Sequence, residues 1–195
     1  MAEQVNGHVY IGSNNYDTYD HWRTYMLTHG INFDWNYGNQ CYDNCALLYF
    51  QYGLTFYLGE LGYAYEAWTI SKSRNAVHPF VAISDVRDIK RGDLLVFGGS
   101  WSAYGHVTFA DTDYSGAFYD RYDVLRLYCV GQNQGQGIGW GVPSNRVALN
   151  LGQFLGAFRN TNWQSAPPPT PTPSGDEEKK HFPWYMVARK LRHQP

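Results

Sequence analysis

Near Pro79 the spacing of apolar residues changes period, and this change constrains the fold of the 195-residue chain more than any other feature. Ahead of it, apolar side chains recur at helical intervals; beyond it, they come in short runs closed by Gly, Asp or Asn. Helices first and strands after is an α+β order, with N-terminal helices packed on an antiparallel β-sheet.

The helical half is punctuated clearly. Over residues 17–29, Asp17 or Thr18 is a candidate N-cap, Trp22, Tyr25 and Met26 follow at helical spacing, and Gly30 stops the pattern. A second helix is expected from Gln40 to about Tyr52, ended by Gly53, with Cys41, Cys45, Leu48 and Tyr52 on one stripe. Residues 54–79 follow no single period, although a short helix is expected around residues 65–70. The strand half contains Phe80-Val81-Ala82-Ile83, a run to Phe97 led by Gly92-Asp93, Tyr104-Gly105-His106-Val107-Thr108-Phe109-Ala110, a run over residues 124–130, residues 146–149 and residues 154–159. The expected arrangement is a meander.

The catalytic or binding domain should occupy residues 1–164. Residues 165–175 form a Pro-rich linker, stiff and extended, and residues 176–195 a short tail with five Lys or Arg against three Asp or Glu, expected to be disordered. A formal charge of −2 gives no overall basic footprint, which argues against nucleic-acid binding. No apolar run is long enough for membrane insertion. The first residues lack the basic and apolar regions of a signal peptide, so synthesis in the cytoplasm is expected. Three cysteines do not read as a disulfide framework, and the chain is expected to act as a monomer. With 17 Tyr and 7 Trp, the chain has many rings suited either to core packing or to a groove that holds a polymer.

Cys41 stands at the junction between a polar turn and the second helix. Unpaired N–H groups and the positive end of the helix dipole favour a thiolate there. The alternative is a thiol buried as a small hydrophobe. Cys45, one turn deeper, reads as core. His106 opens a strand directly after a Gly, and Asn133 closes another; a thiol, an imidazole and a carboxamide are the three parts of a Cys-His-Asn device. Ahead of the helix, oxygen-bearing side chains alternate at Asn32, Asp34 and Asn36, with Gly38 and Asp43 following. Such alternation gathers hard oxygen ligands for calcium, and it equally makes an Asx-rich turn that caps a helix.

The set Tyr37-Gly38-Asn39-Gln40-Cys41-Tyr42-Asp43, Ile89-Lys90-Arg91-Gly92-Asp93-Leu94-Leu95-Val96, Tyr104-Gly105-His106-Val107, Gln132-Asn133 and Phe154-Leu155-Gly156-Ala157-Phe158-Arg159 resembles, in order, the CHAP family of cysteine, histidine-dependent amidohydrolases/peptidases. The resemblance covers roughly residues 15 to 160. It implies a papain-like fold and cleavage of an amide bond in bacterial peptidoglycan, as an endopeptidase or an N-acetylmuramoyl-L-alanine amidase of the phage lysin kind, reaching the wall after holin-type release or as part of a virion. It implies Cys41 as nucleophile, His106 as base and Asn133 as third member, with the Cys41 backbone N–H and the Gln40 side chain holding the oxyanion. It implies no organic cofactor.

The sequence departs from the pattern at Gly131, where many members carry an acidic residue. A neutral Asn orients an imidazole but does not stabilise its positive charge as a carboxylate would. The calcium loop of some phage members is matched at Asn32, Asp34, Asn36, Gly38 and Asp43, with Asn for two carboxylates, which implies weak binding. The alternative function is an inactive wall-binding or virion structural component of the same fold.

Overall fold

The Thr18 Oγ1 accepts the His21 N–H at 3.2 Å and so starts the first helix, α1, Tyr19–Thr28. Its buried side chains, Tyr19, Trp22, Tyr25 and Met26, are the apolar stripe read from the sequence. The computed structural model describes residues 2–5, 8–11, 16–34, 36, 38–99, 102–135 and 141–165; the Pro-rich stretch and tail from residue 166 lie outside the described residues. Two short strands precede α1, β1 (Ala2–Val5) and β2 (His8–Ile11), paired antiparallel and not anticipated from the sequence.

The second helix, α2, runs Cys41–Gln51, so that Cys41 is its first residue. It ends where Gly53 takes a positive φ of 70° and returns its N–H to the Phe50 carbonyl at 2.9 Å. Two four-residue helices follow, α3 (Glu66–Thr69) and α4 (Lys72–Asn75). Hydrogen bonds rather than apolar period hold this stretch. The buried Asn75 side chain accepts the Tyr57 N–H and donates to the Tyr57 and Ala67 carbonyls, while Glu66 Oε2 accepts the Leu61 and Tyr63 N–H groups.

Seven strands form the main sheet: β3 (Phe80–Ile83), β4 (Leu94–Phe97), β5 (His106–Ala110), β6 (Phe118–Tyr119), β7 (Leu125–Gly131), β8 (Asn145–Asn150) and β9 (Phe154–Asn160). Every pairing is antiparallel, and the order is β3-β9-β4-β5-β7-β6, with β8 also on β7. Because β8 lies along Arg126 to Gly131, it takes one edge of β7 while β5 and β6 share the other. The sheet is α+β as expected, but it is not a plain meander: β9 returns to lie between β3 and β4.

The Gly-Asp turn before β4 explains how β9 is held there. Gly92, at φ 92°, donates its N–H to the Ala110 carbonyl, and Asp93 accepts the Lys90 N–H at 2.8 Å. The same carboxylate takes Arg159 of β9 through Nε at 2.9 Å and Nη2 at 2.8 Å. One carboxylate thus shapes the turn and anchors the last strand.

The pleat then sorts side chains to two faces. Leu94, Val96, Val107, Phe109, Val130 and Phe158 pack with Trp22, Met26, Leu48 and Tyr49 of the helices. Leu95, Phe97, Ala110, Leu127, Cys129 and Ala157 form a second cluster with Ile89 and Leu151. Burial on both faces accounts for the unbroken apolar run of β4.

Candidate active site

The start of α2 is fastened by Asp43. Its Oδ2 accepts the Gln40 N–H at 2.6 Å and its Oδ1 accepts the Phe33 N–H at 2.7 Å, so one carboxylate caps the helix and ties down the preceding loop. Among the described residues no cationic side chain pairs with it. Burial pushes Asp43 up to about 7, against the pull of the Gln40 and Phe33 N–H groups.

Cys41 is half-buried, whereas Cys45 and Cys129 are buried core thiols; all three are unbridged. The Val107 backbone N–H, one residue past His106 on β5, works to lower the Cys41 thiol, so the start of α2 lies close to the start of β5. The helix start was expected to depress this thiol. Instead, burial pushes it up to about 11, helped by the Asp43 charge, and outweighs the N–H groups of Val107, Tyr42 and Cys41 itself.

His106 opens β5 and is 7% exposed. Its Nε2 lies 3.0 Å from Gln134 Oε1. The Gln134 carboxamide is oriented by its other contacts: Nε2 donates to the Asn145 carbonyl at 3.0 Å, and Oε1 accepts the Thr108 hydroxyl at 2.9 Å. Oε1 is therefore the acceptor, the imidazole carries its proton on Nε2, and Nδ1 is left as the basic nitrogen of the neutral ring. Burial pushes His106 down to about 4 while the Gln134 hydrogen bond pulls the other way. At neutral pH the thiol and the imidazole are both uncharged.

Asn133 is placed differently from the sequence expectation. It has a left-handed backbone, φ 55°, and its Nδ2 donates to Gln40 Oε1 at 3.0 Å. The carboxamide on the imidazole is that of the next residue, Gln134. Gln132, fully buried, donates to the Ile31 carbonyl at 2.7 Å and the Gln40 carbonyl at 3.2 Å and accepts the Ile31 N–H. Three successive amides thus tie the residue before Cys41 to the ring of His106. The signal for this was present as Gln132-Asn133-Gln134, an unusual run of side chains that both donate and accept.

The residues of the oxyanion pair implied by the resemblance, Gln40 and Cys41, are the N-cap and the first residue of α2. Because Gln40 Oε1 accepts from Asn133, its Nε2 is the donor end.

For calcium, the oxygens of Asn32, Asp34, Asn36, Gly38 and Asp43 are of the right chemical kind. Asp34 Oδ1 accepts the Asn36 N–H at 2.8 Å, an Asx turn, and both Asp43 oxygens hold N–H groups. Among the described residues, no three His, Cys, Asp or Glu side chains gather as a metal cluster. A cation here would rest on amide and backbone oxygens and would share its two carboxylates with N–H donors.

Beside His106 lies an aromatic rim. Tyr104, 60% exposed, meets the Tyr63 ring edge-on at 5.1 Å, and Tyr63 lies 5.8 Å from Tyr65. Gly105, at φ 71°, lets these segments close up: a Cβ there would lie 2.6 Å from the Phe97 carbonyl oxygen and 2.9 Å from Tyr65 Cβ.

No protein-family model matches the chain, and no curated protein matches it. Among solved structures it is similar to that of a wild-type endolysin, LysIME-EF1, at a TM-score of 0.52 and 24% identity, over 74% of this chain and 64% of that one. The likeness is one of fold, and this chain spans under two thirds of that chain's length.

Proposed function

We propose that this protein is a peptidoglycan hydrolase of the phage lysin kind, in which Cys41 and His106 cleave an amide bond of the bacterial wall. The observation that carries the reading is that the first residues of α2 and β5 converge: the Val107 N–H bears on the Cys41 thiol, and His106, the residue before it, has its Nε2 on the Gln134 carboxamide. The fold likeness to an endolysin supports it.

Cys41 Sγ attacks the carbonyl carbon while its proton passes to His106 Nδ1. The oxyanion is held by the Cys41 N–H and Gln40 Nε2. The C–N bond then breaks as the imidazolium gives its proton to the leaving amine, leaving a thioester. Water attacks the thioester, His106 takes the water proton, and the departing sulfur recovers it. Because both groups rest uncharged, the S–H proton is transferred as attack occurs rather than beforehand. The Tyr63, Tyr65 and Tyr104 rim offers flat faces to sugar rings and stem peptides.

Cys41→Ala and His106→Ala should abolish the loss of turbidity of purified walls, while Cys45→Ser retains it. Unchanged clearing by Cys41→Ala would overturn the reading. Mass analysis of released fragments distinguishes endopeptidase from amidase cleavage. A second reading, an inert wall-binding component, is favoured by the burial that holds the thiol at about 11; it predicts co-sedimentation with walls and no fragments.

Calcium at Asn32, Asp34, Asn36, Gly38 and Asp43 would stiffen the loop ahead of Cys41 and take part in no chemical step. Weak binding predicts a rise in melting temperature at millimolar calcium that EDTA reverses. An unchanged melting temperature removes the ion from the site.

A further inference from the structure

We infer that Gln134, backed by Thr108, is the residue that positions the His106 imidazole, and that Asn133 works on the opposite side by orienting the Gln40 carboxamide. The inference rests on reading Cys41 and His106 as the reacting pair.

Asn133 and Gln134 are adjacent, yet they reach different partners. The left-handed backbone at Asn133 turns the chain so that the two side chains diverge, one to Gln40 Oε1 at 3.0 Å and the other to His106 Nε2 at 3.0 Å. Asn is among the few residues that adopt this conformation at low cost. Gln132 fixes the turn from below through Ile31 and the Gln40 carbonyl.

Gly131 makes room for the arrangement. A Cβ at residue 131 would lie 2.5 Å from Thr108 Oγ1 and 3.2 Å from Gln134 Cδ. Any side chain there would collide with the Thr108 hydroxyl and crowd the carboxamide, so the space a larger residue would occupy holds the Thr108–Gln134 pair instead. Thr108 Oγ1 also lies 2.9 Å from the Val130 carbonyl, so its single proton is shared between that oxygen and Gln134 Oε1, which keeps the hydroxyl at the strand. The orienting group is thereby neutral: it sets which ring nitrogen carries the proton without stabilising a positive ring. Among the described residues, the titratable residues on the elements packed at this end of β5 are Cys41 at the start of α2, whose thiol feels the Val107 N–H, and Tyr65, whose Cβ packs at Gly105.

The test follows the His106 ring by nitrogen-15 NMR in the full chain, with wall clearing measured in parallel. The wild-type ring should show the Nε2–H tautomer at neutral pH. Gln134→Leu should mix the tautomers and lower kcat by about 30- to 100-fold with KM within about twofold. Gln134→Glu should move the ring titration and the acid limb of activity up by about two pH units, because a carboxylate stabilises the imidazolium. Asn133→Ala should leave the ring titration and tautomer in place and lower kcat by about tenfold, the cost of a loosened oxyanion donor. The inference is overturned if Asn133→Ala shifts the ring signals while Gln134→Glu leaves them unmoved. Gln134→Asn and Gln134→Glu keep a polar group in the pocket, so the comparison survives if Gln134→Leu fails to fold. Wall clearing by Cys41→Ala would instead sink the hydrolase reading, and the ring spectra would still decide which amide holds His106.

Discussion

Two buried polar clusters stand at opposite ends of β5, and they are made of different chemistry. Just past its C-terminal end, Asp111 accepts Arg23 through Nε at 2.5 Å and Nη2 at 3.1 Å, Arg146 through Nε at 2.5 Å, and the Tyr19 hydroxyl at 3.4 Å. Burial works to raise this carboxyl, yet the two guanidinium groups outweigh it and hold Asp111 below the usual range. At the N-terminal end, His106 is held by a carboxamide, and the carboxylate by Cys41 has backbone N–H partners. Charge pairs fasten the sheet to α1, whereas the imidazole is held by a neutral amide and the Asp43 carboxyl near the thiol is left by burial only partly ionised at neutral pH. A permanent cation at the imidazole would oppose its protonation, and a permanent anion at the sulfur would oppose the thiolate.

This contrast can be broken by measurement, beginning with the largest expected effect. If the Cys41 thiol rests uncharged near 11, its alkylation by iodoacetamide should rise about tenfold per pH unit, or about 100-fold from pH 7 to pH 9. A rate flat above pH 5 would mean that a thiolate–imidazolium pair exists at rest, and the two ends of β5 would no longer differ in kind.

The next effect lies in stability against pH. His106 is depressed to about 4, so its contribution is present above its unfolded value and is lost as pH falls from about 6.5 through 4. Asp43 is raised to about 7, so its contribution is present below its unfolded value and is lost as pH rises from about 4 through 7. The two slopes oppose each other. Replacing His106 by Gln removes only the first, so the variant should gain on the order of 3 kcal/mol relative to wild type between pH 7 and pH 4 in urea titrations. Parallel pH curves for the two proteins would mean that the ring is solvated.

Asp111→Asn should cost about 2 kcal/mol at pH 7, because Arg23 and Arg146 lose their counter-charge, while wall clearing per folded molecule stays the same. A variant as stable as wild type but slow at clearing would reverse the division of labour between the ends. Smallest is Tyr104→Ala, an exposed rim position: KM on walls should rise about threefold with no change in melting temperature.

The legible parts of the chain were those in which one period or one cap dominates. Thr18, Gly53 and the stripe of Trp22, Tyr25 and Met26 announce α1 and the end of α2, and the apolar runs announce β3, β4, β5, β7, β8 and β9. Within residues 54–79 the short helix expected around residues 65–70 is α3, and the rest was opaque because Asn75 and Glu66, bonding to backbone outside their own turns, replace periodicity as the organising force. β6, of two residues, is too short to carry a pattern. In the site, Cys41 and His106 stood out by position, at a helix start and a strand start. Gln134 did not, because a one-residue reversal at Asn133 exchanges the directions of neighbouring side chains, and sequence spacing does not report the sign of φ.

The place of β9 has a consequence for how the protein is made. Residues 154–160 lie between β3 and β4, and β4 in turn borders the strand that begins with His106. Until those last strand residues leave the ribosome, β4 has one bare edge and Asp93 waits for Arg159. The histidine and cysteine are synthesised early, but the platform beneath them closes last, so a chain stopped short of residue 160 is an unfinished tool rather than a shorter one.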